Sequence, residues 1–275
     1  MTKPISPSES ILVLPSVCLL NVRTLDGLLP KELIPSKECP SHPDHWKEDD
    51  DEGEISSKKL KLPLTSVQAL TLALARWRMQ QRNEKSKSIG RFDTMLSSFP
   101  KEYPTFPIMW KISIQEFKPS SNQEEEISQN CRTLLDALPT HVAHLCEKVY
   151  KRFQRDCRSI RALSDTFSQL LLESSSGNKV NLMDFAWAWC SVNSRCLFIP
   201  LGLKPHQDNF TLAPLLDMAN HTMDPRLECK VKWTPTGGLK LSAPAKTYRP
   251  EGFVPGQEVM IAYGPHSNGV SSLME

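Results

Sequence analysis

The order of strand-like and helix-like segments constrains this chain more than any other feature. A short apolar run, Ile11 to Leu14, closes on Pro15 near the start, and the next clear strand patterns come about 200 residues later. These are Leu227 to Trp233 and Leu239 to Ala243, joined by the turn residues Thr234, Pro235, Thr236, Gly237 and Gly238, a β-hairpin signature. Gly256 to Gly264 reads as a further strand ending at a glycine. A lone short strand is not stable, so the first must find its partners at the far end of the chain. The order predicts an α+β fold whose sheets are assembled from both chain ends around a large helical block.

Inside that block, Thr65 and Gln68 have the spacing of a helix capping box, and Val67, Leu70, Leu74 and Trp77 then share one face up to about Gln81. Pro100, Pro104 and Pro107 forbid regular helix or a central strand over their length. The aromatics Phe99, Tyr103, Phe106 and Trp110 around them suggest an irregular segment pinned to a surface. Residues from about Gln123 to Leu172 predict two helices broken near Pro139. A further helix, Leu182 to about Cys196, has Asn181 as its cap and is apolar on most sides, the pattern of a buried helix. Phe185, Trp189 and Val192 share one of its faces and Trp187 points elsewhere. The implied organisation is 1–34 and 201–275 for the strand-bearing part, 63–200 for the helical insert, and 35–62 for a loop between them.

That loop carries the acidic run Glu48 to Glu52 and then Lys58, Lys59 and Lys61. Such a segment is expected to bury little, and its lysines read as a solvated face rather than a nuclear-import signal. Cys39, His42 and His45 are metal-ligand types, but they lack a fourth partner, and no metal site is assigned.

Composition narrows the function classes. Lys and Arg number 33 against 31 Asp and Glu, which gives no reason to expect nucleic acid or a membrane as the main partner. Eight cysteines without a CxxC pair read as reduced thiols of an intracellular protein, cytoplasmic or nuclear. No apolar stretch approaches the roughly 20 residues of a membrane span. GxSxG, GxGxxG and P-loop patterns are all missing, which argues against a serine hydrolase and the common nucleotide folds.

Two places remain for chemistry. In Leu215 to His221 an apolar run turns abruptly into Asp217, Asn220 and His221. The pattern alone fits a ligand pocket or, more simply, a satisfied polar turn. In Tyr263 to Gly269, two glycines flank Ser267 and Asn268, as in a loop that cradles a small molecule with its amides or in an ordinary turn.

Taken in order, these segments resemble one family. Asp217, Met218, Ala219, Asn220 and His221 match the D-x-x-N-H motif of SET-domain methyltransferases, and Gly256 to Gly264 resembles the G-E-E strand that follows it. Ile11 to Pro15, the P-x-x-Y-x-x-P element at Pro100 to Pro107, and the Ser194–Arg195 helix end resemble the Rubisco-methyltransferase-like class, in which a helical insert splits the SET fold. The resemblance implies S-adenosylmethionine (AdoMet)-dependent methylation of a protein side chain. The acceptor is usually lysine, with histidine also known in the class, and the substrate is expected to be a ribosomal or other non-histone protein. It implies that Arg195, Asp217, Met218, Ala219, Asn220, His221, Ser267, Asn268 and Gly269 hold the cofactor, with Glu9, Ser10 and Ile11 near the adenosine. Tyr263 is implied to support the target channel as the catalytic candidate. The G-x-G strand pair and the Y-G-F element of the family find no match, so the expected site is incomplete. A non-catalytic SET-like scaffold is the alternative.

Overall fold

The computed structural model describes residues 3–46, 61–82, 90–116, 119, 121–164, 181–204 and 208–263. Among them are strands β1 (Ser10–Leu14), β2 (Leu197–Phe198), β3 (Phe210–Thr211), β4 (Asn220–His221), β5 (Lys230–Trp233), β6 (Leu239–Ser242) and β7 (Met260–Ile261). The helices are α1 (Ser66–Arg82), α2 (Asp93–Ser97), α3 (Pro107–Glu116), α4 (Asn122–Asp136), α5 (Thr140–Arg161) and α6 (Leu182–Arg195).

The two chain ends meet as the sequence order predicts. β1 pairs antiparallel with β6, and β6 with β5, so the hairpin takes the first strand as its third member. The hairpin turn requires its glycines. Gly237 has φ +80°, and a Cβ on Gly238 would stand 2.3 Å from the Leu14 carbonyl oxygen, where β1 crosses closely. Two smaller sheets, β2–β3 antiparallel and β4–β7 parallel, complete the strand part.

Local sequence accounts for most helix ends. Thr65 and Gln68 form the expected reciprocal cap, each side chain accepting the other's backbone N–H at 3.1 Å. Asn181 and Asp184 form a second such cap on α6. α4 and α5 are separated at Pro139, as expected.

Apolar side chains gather in two large clusters and a small third around Val142 and Cys146 of α5. One lies among the helices around Leu70, Phe153, Phe185 and Trp189. The other lies under the strands around Leu14, Leu216, Leu241 and Phe253. Leu20 and Leu212 of the helical cluster exchange backbone hydrogen bonds of 3.0 and 2.9 Å, and their chain neighbours Leu19 and Ala213 belong to the strand cluster. No helix of the described residues is long and apolar enough to cross a membrane.

Four expectations are corrected. The aromatics Phe99, Tyr103 and Phe106 are buried in the helical core rather than laid on a surface. Pro107 starts α3, because a first-turn residue has no N–H partner to lose. The loop before Pro63 is not uniformly exposed. His45 is 4% exposed, its Nε2 lies 3.1 Å from the Lys61 carbonyl, and its Nδ1 faces Gln68 Nε2. The last strand is also shorter than read, confined to Met260–Ile261 after a turn at Val254 to Gln257. The acidic run Glu48 to Glu52, the lysines 58 and 59, and residues 165–180 lie outside the described residues.

Candidate active site

The end of α6 and the segment after β3 converge on one charged pair. The Arg195 guanidinium, in the last turn of α6, donates to Asp217 Oδ2 at 3.1 Å. The Asp217 side chain is 2% exposed and that of Arg195 21%. Burial pushes the Asp217 carboxyl above the ordinary carboxylate range, and Arg195 pulls against that shift. Burial likewise disfavours the charge on Arg195, but Tyr103 and Asp217 more than offset it, and its pKa is raised. The guanidinium carbon also lies 4.9 Å from the Phe99 ring centre, a cation–π contact. The Tyr103 hydroxyl is 2.9 Å from Ser191 Oγ, one turn back along α6. The proline-rich aromatic segment therefore forms one wall of the pair.

Asp217 sits in a 3-10 turn, Leu216–Met218, entered through Leu215 with φ +66°. Positive φ is unusual for a branched apolar residue and tends to occur at functional sites. Leu215 and Met218 are exposed while Leu216 and Ala219 are buried, so the turn is anchored from below and open above.

Directly after it, β4 runs parallel to β7, with Asn220 opposite Met260 and His221 opposite Ile261. Side chains lock this pairing. Asn220 Nδ2 donates to Glu258, the Tyr263 hydroxyl donates to the Ala219 carbonyl, and the Tyr263 N–H donates to His221 Nδ1 at 3.0 Å. An Nδ1 that accepts a hydrogen bond leaves the ring proton on Nε2. The His221 and Tyr263 rings lie 5.2 Å apart and tilted.

Arg195, Asp217, Met218, Ala219, Asn220, His221 and Tyr263 are thus brought together. Glu9 caps its own loop by accepting the Ser6 N–H at 2.8 Å, Ser10 and Ile11 run along β1, and Ile11 packs against the apolar cluster that holds Leu216 and Ala219. Among the described residues, no hydrogen bond or ion pair joins these three to the cluster. Ser267, Asn268 and Gly269 lie outside the described residues. Ser191 and Glu258 were not singled out by the sequence, though Glu258 stands inside the strand motif that carried the resemblance, and Phe99 and Tyr103 were read only as aromatics of the proline-rich segment. Cys39, His42 and His45 form no metal-binding group; none is present among the described residues.

The architecture is the α+β fold of a SET domain. It superposes on the crystal structure of the SET domain of LSMT bound to lysine and AdoHcy with a TM-score of 0.50, covering 98% of this chain and 48% of that one, at 17% identity. No family model matches the chain. Among curated proteins, it is 30% identical over 139 residues to SET domain-containing protein 4 of Mus musculus, covering 49% of this chain and 30% of the relative. It is 31% identical over 84 residues to ribosomal lysine N-methyltransferase set11 of Schizosaccharomyces pombe, covering 30% and 20% respectively. The chain therefore spans less than a third of the length of these curated relatives. Over part of its sequence, and in fold, the chain is similar to SET-domain methyltransferases.

Proposed function

We propose that this chain carries the cofactor side of an AdoMet-dependent protein-lysine N-methyltransferase. The carrying observation is the convergence of Arg195, Asp217, Asn220, His221 and Tyr263 on one turn and one parallel strand pair of a SET fold. The residues suit a zwitterionic ligand. Arg195 is a cation whose Nε is buried without a partner, a donor that a carboxylate would satisfy. Asn220 is exposed above the turn and keeps its amide oxygen as an acceptor for a ligand N–H. AdoMet would supply, when bound, an electrophilic methyl group for an amine lone pair, with the neutral thioether as leaving group.

The protein's share is alignment and desolvation. The β4–β7 locks hold Asn220 and His221 at fixed orientation, which favours a single approach geometry. An ammonium has no lone pair, so a site that excludes water favours the neutral, nucleophilic amine. Tyr263, half-exposed and held through its hydroxyl, is suited to shape the entrance on that side. A ribosomal protein is the first acceptor to screen, since the fission-yeast relative is named for ribosomal lysine. Eight free thiols suit a reducing cytoplasm or nucleus.

Calorimetric titration with AdoMet tests the reading. Saturable binding that Asn220→Ala weakens about tenfold, a loss of roughly 1.4 kcal/mol, is expected, followed by methyl transfer to a ribosomal protein fraction. A folded chain that does not bind AdoMet would overturn it in favour of a non-catalytic scaffold.

A further inference from the structure

Several arginines that the fold draws out of water are matched to acids. Arg78 meets Asp184 at 3.5 Å, Arg195 meets Asp217 at 3.1 Å, and Arg249 meets Glu251 at 3.5 Å. Arg76, half-buried on α1, is different: among the described residues it meets no acid. Burial pushes its pKa below the ordinary arginine value, and no neighbouring charge offsets the shift. Its Nη1 donates to the Leu28 carbonyl at 2.9 Å, its Nε is buried without a partner, and its Nη2 has no acceptor among the described residues. A desolvated cation without a counter-charge is costly, and a neutral side chain could serve one carbonyl as well.

Arg76 lines a cavity of about 510 Å³ between α1, the turn at 26–28 and the segment 90–96, a size suited to a small ligand. Arg91 lines it too, donating to the Thr24 carbonyl at 2.8 Å with its guanidinium carbon 4.7 Å from the Phe92 ring centre. Both guanidiniums are thus moored to carbonyls of one turn, which reduces the side-chain freedom a ligand would have to freeze. Leu20, Leu74, Phe92 and Leu96 supply buried apolar wall, and the Trp77 ring is fixed by its Nε1 donating to Asp93 at 2.8 Å. Two acids share the lining. Asp93 accepts from Trp77 and, at 2.9 Å, from the Gly90 N–H, while Asp26 lies 3.9 Å from Lys31. Their charges oppose a dianion such as phosphate more than a monoanion.

We propose that this cavity is a second binding site, taking a single carboxylate carried on an apolar or aromatic body, with Arg76 as its ion partner and Arg91 as the second cation. An acidic peptide segment of a partner protein and a small organic acid present this same group. The cavity shares no residue with the Arg195–Asp217 turn or the β4–β7 pair, so its occupancy does not depend on cofactor binding.

The test is saturation-transfer NMR on the full chain with two carboxylate probes, phenylacetate and a blocked Leu-Glu-Phe tripeptide, each against its carboxamide, phenylacetamide and the Leu-Gln-Phe peptide. At least one carboxylate should bind saturably below about 5 mM, and its carboxamide about tenfold more weakly, the worth of one charge-assisted hydrogen bond. Arg76→Gln, which keeps a donor for the Leu28 carbonyl, should weaken carboxylate binding about tenfold and leave the carboxamide unchanged. Arg91→Gln, at an exposed position, should act in the same direction, and it carries the test if thermal melting shows Arg76→Gln to be unfolded. Lys232→Gln, on the exposed face of β5, should change nothing. Tighter binding of the tripeptide identifies a protein partner, and tighter binding of phenylacetate a small acid. No saturable binding to the folded chain, equal binding of the carboxamides, or binding that neither arginine variant weakens overturns the proposal. So does tighter binding of inorganic phosphate, which would mark a general anion site, or loss of the probes in Asn220→Ala, which would place them in the SET-type site.

Discussion

Asp217 shows how one side chain serves structure and site together. Its carboxylate is almost fully buried and meets Arg195 at 3.1 Å, so it holds the 216–218 turn against the end of α6 and is itself shielded from a ligand by that pairing. Asp217→Ala leaves a mostly buried guanidinium without its carboxylate. The expected loss is about 2–4 kcal/mol in urea unfolding, below the full value for a wholly buried pair because Arg195 keeps some contact with water. A loss under about 0.5 kcal/mol would show that the pair does not hold the turn. The D-x-x-N-H spacing made this residue visible in the sequence. Its pairing with Arg195 was not visible, because nothing local dictates that two residues 22 positions apart will share one buried contact.

Between elements, His45 ties the loop before Pro63 to α1 and, through Gln68, to Asp156 on α5. Burial lowers its pKa below the ordinary histidine value; the Lys61 carbonyl and Asp156 oppose the shift, and His42 and Lys61 add to it. The neutral ring is therefore the form the fold prefers. Its contribution is complete above the unfolded value, near pH 6.5, and is lost as pH falls below that toward the depressed folded value. Melting temperature should drop by about 2–4 °C per kcal/mol lost on acidification from roughly pH 7.5 to 5.5, and His45→Gln should flatten that dependence. An unchanged pH profile in the variant would remove His45 as the cause. Acidic composition alone read this stretch as solvent-exposed. Tertiary hydrogen bonds to the Lys61 carbonyl and Gln68 overrode that reading.

At the scale of the whole molecule, the helical and strand clusters meet where the paired segments Leu19–Leu20 and Leu212–Ala213 each give one residue to either cluster, and at the Arg195–Asp217 pair. Damage to one should therefore be felt in the other. Phe153 is 1% exposed and packs edge-on against Trp189. Phe153→Ala should cost about 3–5 kcal/mol and lower hydrogen-exchange protection in the β5–β6 hairpin together with the helices. Two separate melting transitions, with the hairpin unaffected, would show that the clusters unfold independently.

The sequence by itself determined the strand–helix–strand order, the Thr65–Gln68 capping box, the Asn181 cap, the hairpin and the residue types of the site, because these follow from local periodicity and from turn chemistry. Motif spacing also pointed to Arg195, Asp217, Asn220, His221 and Tyr263 as a group. Only the tertiary structure decided which of them touch. β4 and β7 contribute two residues each, too few to leave a periodic trace, and their parallel pairing is what sets His221 against Tyr263. The buried course of Phe99, Tyr103 and Phe106 was likewise decided by packing, since prolines forbid a regular element but do not say whether the irregular one faces core or water. The same limit applies to charge. A balanced total carried no sign that α5 would turn Lys148, Lys151, Arg152 and Arg158 outward and Asp156 inward.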